Sequence, residues 1–181
     1  MKTHFRILSG DFWHQCPPTR HLLDVADPAI TSGRYHRAGE FGVWYASSSE
    51  VAAWAELFRH HERGGISPFE VRRLIGRVRV RGLKVLDLTD EKIRAEFGVT
   101  MRDFVGDDLS HCQSIAEGAR SQRYDGILAP SAALRGQKTL AVFVNAIAKV
   151  SERNSRIRHA PPRMTRYSPA VKRVRLLPKA R

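Results

Sequence analysis

The sequence predicts an α+β fold, a compact mixed or antiparallel sheet with flanking helices, and three features carry that expectation. About six strand-like runs and three main helices follow one another in mixed order, without the regular alternation of a parallel α/β protein. Two runs show the extremes of strand patterning: Arg77-Val78-Arg79-Val80-Arg81 alternates strictly, whereas TLAVFVNAI (139–147) is almost unbroken apolar sequence. Ser47 with Glu50 three residues later forms a capping box, so a helix opens in the middle of the strand series. At 181 residues the chain suffices for one self-sustaining domain.

Each element has its own signal. HFRIL (4–8) reads as a short first strand, and 10–33 as irregular, broken by Cys16-Pro17-Pro18 and Asp27-Pro28. A strand at 34–37, a turn at Ala38-Gly39-Glu40 and a strand at 41–46 follow. The helix after Ser47 runs to about His61, with Val51, Trp54 and Phe58 on one face and Glu56 on its flank, and Gly64-Gly65 ends it. LKVLDL (83–88) is a further strand, and Thr89-Asp90-Glu91 opens a short helix closed by Gly98. A longer helix spans about 108–123, burying Cys112, Ile115, Ala116 and Ala119. Tyr124-Asp125-Gly126 then breaks to the strand ILAP (127–130), and 131–138 forms a loop before the apolar run.

The net charge of +13 is unevenly spread: residues 151–181 carry +9 and residues 1–150 only +4. The expected organisation is therefore a folded body, 1–150, and a basic C-terminal extension, 151–181, partly disordered, in which KRVRLL (172–177) has strand character. No run approaches a membrane span, and the N-terminus lacks the apolar core of a secretory signal. Cys16 and Cys112 stand apart with no CxxC and no histidines at ligand spacing, which argues against a disulfide framework or a zinc site. A reduced, cytoplasmic protein without a metal is expected. GxGxxG, GxxxxGK[ST], HExxH and GxSxG are all absent. Asp107-Asp108 reads as helix capping more readily than as a metal pair.

One stretch, SGRYHRAGEFGVWYASSSEVAAWAE (32–56), concentrates cations, aromatic rings, turn glycines and one carboxylate. Arginine beside a glycine-bearing turn suits phosphate, because its planar fork meets phosphate oxygens bidentately. Tyrosine and tryptophan there can stack on a base or a pyridinium ring. A glutamate facing the same space can stabilise a ribose oxocarbenium cation or orient a nucleophile onto the anomeric carbon. The structural alternative is that Tyr35, Trp44 and Trp54 are core and that Arg34 and Glu56 form an ion pair.

These residues also resemble a family. Arg6 in HFRIL, then Gly33-Arg34-Tyr35, Trp44-Tyr45 before ASSS, Glu56 on the next helix and Pro130-Ser131 stand in the order of the RES-domain family. VLDLTDEKIRAEFGVT (85–100) and DDLSHCQSIAEGARSQRYDGILAPSA (107–132) are similar to its second half, so the likeness spans about 4–147. The resemblance implies a fold like that of ADP-ribosyltransferases and the toxin of a RES–Xre toxin–antitoxin pair that consumes NAD. Its implied catalytic residues are Glu56, Arg34 and Ser131. Arg6, Gly33, Arg34, Tyr35, His36, Tyr45 and Ser131 would bind the dinucleotide, Tyr45 shaping the pocket around the nicotinamide ribose. The implied partners are NAD, inorganic phosphate as a possible acceptor, and an Xre-type helix-turn-helix antitoxin that blocks the cleft and makes most of the DNA contact. The usual GGRWN turn of the family is Ser32-Gly33-Arg34-Tyr35-His36 here, which leaves the preferred acceptor open among water, phosphate and a protein side chain. Two rival functions stand beside this one: a protein ADP-ribosyltransferase, and a non-enzymatic nucleic-acid-binding module built on the basic tail.

Overall fold

The computed structural model describes residues 4–27, 30–64 and 71–159. The tail from 160 onward, with KRVRLL, lies outside the described residues. Six strands are ordered β1 (Phe5–Cys16), β2 (Val43–Ser47), β3 (Arg72–Asp87), β4 (Gly126–Pro130), β5 (Lys138–Phe143) and β6 (Val150–His159). The helices are α1 (Glu50–Gly64), α2 (Glu91–Glu96), α3 (Met101–Val105) and α4 (Ser110–Ser121), with a 3-10 helix at Val144–Lys149. The sheet order is β1-β2-β5-β4-β3-β6, and β1 also pairs with β3. Five strands thus close into a ring, and β6 is added to the outer edge of β3. Only the β3–β4 pairing is parallel.

Alternation along the strands separates two apolar regions. Phe12, Trp44, Val78, Val80, Leu128, Leu140 and Val142 pack together inside the ring. Val43, Ile127, Ala141 and Phe143 point the other way and meet Cys112, Ile115, Ala116 and Ala119 of α4. A third cluster joins Ala53, Trp54, Leu57 and Phe58 of α1 to Ile75 on β3, with Trp13 of β1 against it. Cys16 and Cys112 are free and buried. No helix among the described residues is long and apolar enough to cross a membrane.

Several local expectations are corrected. β1 runs on to Cys16 instead of ending near Leu8, because its polar positions find partners on β3: Asp11 pairs with Arg79, and Gln15 accepts from Arg73. The alternating run and LKVLDL are one continuous strand, β3. Residues 34–37 form no strand and contribute only a Gly33–His36 bridge. The apolar run turns at Val144 into the 3-10 helix, which places Ala146 against the ring interior. Val51 is 55% exposed, since side chains in a first helical turn lean beyond the helix start. Residues 151–159, assigned to the extension, belong to strand β6, which starts at Val150.

Candidate active site

The ring is weakest between β1 and β2, which pair only at Trp13–Ser47, while β1 follows β3 along its length and β2 follows β5. Beyond Trp13 the two strands part, and a cavity of about 630 Å³ opens between them, bounded by α1 and the loop before α4.

Gly33, Arg34, Tyr45 and Glu56, all singled out by sequence, line this cavity. Gly33 must be small: a Cβ there would lie 2.7 Å from the His36 ring and 2.8 Å from Tyr45 Oη. The turn is held from behind by Gln113 of α4, whose Nε2 donates to Gly33 O at 2.9 Å and to His36 O at 3.2 Å. Arg34 donates from Nη1 to Asp103 O (2.7 Å) and from Nη2 to Gly106 O (3.2 Å), and Arg59 donates to Val105 O (2.6 Å). Two guanidinium groups are thus fixed at the cavity wall by the carbonyls that end α3. A guanidinium carries five donors, so Arg34 keeps others for a ligand.

Glu56 is held on one oxygen. Its Oε1 accepts from Ser131 Oγ at 2.8 Å and from Thr139 Oγ1 at 3.3 Å, which leaves Oε2 for other work. Ser131 is only 2% exposed, and its Oγ also accepts from the N–H groups of Ala133 and Leu134, each at 3.1 Å. Its hydrogen-bonding capacity is spent on Glu56 and on its own turn, so it positions the carboxylate and does not line the cavity. No ion pair joins Arg34 to Glu56 among the described residues, in contrast to the structural alternative.

Three further expectations fall away from the cavity. Arg6 sits near the start of β1 with Asp87 at 3.3 Å, about 26 Å along the strand from His14 at the spacing of extended chain. Tyr35 is buried in the α4-side core, stacked on Tyr45, and offers no face to a ligand. His36 is buried with Nδ1 at 3.0 Å from Tyr45 Oη, and burial lowers its pKa so that it stays neutral. Tyr45 Oη also accepts the Tyr35 N–H at 3.1 Å, and burial pushes its phenol well up, so it remains protonated. These two side chains brace Tyr45 from within the core. Asp108 Oδ1 accepts from Ser110 N–H at 2.9 Å just ahead of α4, whose N-cap position is Leu109.

Sequence reasoning missed Trp13, His14, Gln15, Arg59 and Thr139. Arg59 carried a usable signal, because it lies three residues after Glu56 on the same helical face. The β1 residues carried none, since they reach the cavity only through the parting of two strands far apart in sequence.

Residues 3–163 match the RES domain family. The chain is 50% identical over 167 residues to the probable NAD(+) phosphorylase Rv3189 of Mycobacterium tuberculosis, covering 92% of this chain and 80% of that protein. It is 29% identical over 103 residues to the NAD(+) phosphorylase MbcT of Mycobacterium bovis, 55% of each. A chain of the crystal structure of the M. tuberculosis MbcT–MbcA toxin–antitoxin complex shares the fold, with a TM-score of 0.78 at 23% identity, over 86% of this chain and 87% of that one.

Proposed function

The chain belongs to the RES-domain family, and we propose that it is a toxin of a toxin–antitoxin pair that consumes NAD by cleaving the nicotinamide–ribose bond, with phosphate as the acceptor. One observation carries the reading: a carboxylate braced by two hydroxyls shares a single cavity with two fixed arginines and the Tyr45 ring.

The chemistry needs little more. Nicotinamide is a cationic leaving group, so the C–N bond breaks with its electron pair going to the ring nitrogen and no general acid is required. Positive charge develops on the ribose, and the free oxygen of Glu56 stabilises it. Ser131 and Thr139 fix that carboxylate in advance, so no reorganisation accompanies the reaction. Arg34 suits the pyrophosphate of NAD or an incoming phosphate, whose oxygens accept its remaining N–H groups, and Arg59 adds a second positive charge at the same wall. A phosphate oxygen then bonds to the anomeric carbon, giving ADP-ribose phosphate and nicotinamide. The name of the 50%-identical relative supports phosphate over water or a protein side chain.

An Xre-type helix-turn-helix antitoxin that covers the cavity mouth is the matching partner, with DNA contact made mainly by that antitoxin. The likeness to a chain of a toxin–antitoxin complex supports this assignment. The test is to incubate the purified chain with NAD, with and without inorganic phosphate, and identify products by mass. Nicotinamide and a phosphate-dependent ADP-ribose phosphate are expected. ADP-ribose alone in both buffers would make the enzyme a hydrolase, and NAD that stays intact would overturn the reading.

A further inference from the structure

Where β1 parts from β2, a side chain bridges the seam. After Trp13–Ser47, an unbroken ladder would set Gln15 against Tyr45. In its place the His14 imidazole spans the gap, with Nδ1 at 2.5 Å from Tyr45 O. A carbonyl only accepts, so the proton sits on Nδ1. The ring is steadied against Trp44, centroid to centroid at 4.8 Å. Burial lowers the His14 pKa to about 4, so the ring is neutral near pH 7 and Nε2 keeps its lone pair.

That lone pair has no hydrogen-bond partner among the described residues. The half-buried ring lines the cavity, and with Nδ1 committed to Tyr45 O, Nε2 is the ring nitrogen left for a ligand there. Resting on the NAD-cleaving reading above, we infer that His14, through Nε2, accepts a hydrogen bond from a hydroxyl of the reactants: a ribose hydroxyl of NAD or the P–OH of hydrogen phosphate. A neutral acceptor fits both. A second carboxylate beside Glu56 would repel the phosphate anion, whereas imidazole takes a proton-bearing oxygen without adding charge.

His14→Asn and His14→Gln separate this role from a structural one. Asparagine keeps an N–H near Nδ1 and can still donate to Tyr45 O, but it has nothing at Nε2. Glutamine reaches the Nε2 position and gives up the Tyr45 link. With both variants folded by far-UV circular dichroism, kcat/KM should fall in Asn by about 3- to 10-fold if the donor is the neutral ribose hydroxyl and by about 10- to 100-fold if it is the charged hydrogen phosphate. Gln should retain more. A rise in KM for NAD alone assigns the ribose hydroxyl as the donor. Weaker phosphate dependence, with product shifting from ADP-ribose phosphate toward ADP-ribose, assigns the phosphate. An Asn variant equal to wild type, or Gln more impaired than Asn, overturns the role of His14. A wild type that consumes no NAD overturns the underlying reading, and the inference with it.

Discussion

Side chains at this site divide into those that meet the cavity and those that hold them in place. Glu56 and Arg34 meet it; Ser131, Thr139 and the carbonyls of Asp103 and Gly106 fix their positions. Two neutral histidines, His36 in the core and the half-buried His14, support the same region, with a measurable consequence. Burial depresses the pKa of His14, to about 4, and that of His36, so the folded state favours their neutral forms. Their stabilising contribution is complete above the ordinary histidine pKa of about 6.5 and is lost as pH falls through the folded values. The melting temperature should therefore decline between about pH 6.5 and pH 4, and His14→Asn should flatten that decline; an unchanged slope would show that His14 does not titrate this way. Sequence reached Gly33, Arg34, Tyr45 and Glu56 because their chemistry is gathered within one short stretch. Arg6, Tyr35, His36 and Ser131 do not line the cavity, since each has the right residue type and only three-dimensional neighbours decide which way it faces. Ser131 on its turn is indistinguishable in sequence from a ligand-binding serine.

Strands and helices were legible where burial is periodic and obscure where partners are distant. α4 and β2 follow their apolar patterns closely, as do α1 apart from Val51 and β5 up to Phe143. β1 and β3 read as fragments in the sequence because polar residues and the glycines Gly10 and Gly82 interrupt them, and the polar groups are satisfied across the strands, Asp11 with Arg79 and Gln15 with Arg73. β6 was the largest omission. All its residues but Val150 are exposed, so no apolar period marks it, yet it forms nine register pairs with β3. A chain ending at residue 159 should keep the melting temperature of the full protein. One ending at residue 149 should lose several degrees, at about 2–4 °C per kcal/mol for a domain of this size. Equal melting temperatures for all three chains would show that β6 adds nothing to the fold.

As a whole, the molecule is a five-stranded ring with one incompletely paired seam, and the cavity lies at that seam. A complete β1–β2 ladder would satisfy more backbone groups and close the opening to the interior. Rigid pairing elsewhere, between β1 and β3 and between β2 and β5, lets the seam stay open without unravelling the ring. The loop before α4 then closes the site from outside, tied down by the two arginines. The account turns on the carboxylate that this architecture presents. Its most direct test is the rate of NAD loss for wild type and Glu56→Gln, with folding verified by circular dichroism. Glutamine keeps the shape and an oxygen that can accept from Ser131, but it removes the negative charge. A fall of about 100-fold or more in NAD turnover, with the fold intact, is the predicted result. Turnover equal to wild type would contradict the assignment of Glu56 and of this cavity as the place where NAD is cleaved.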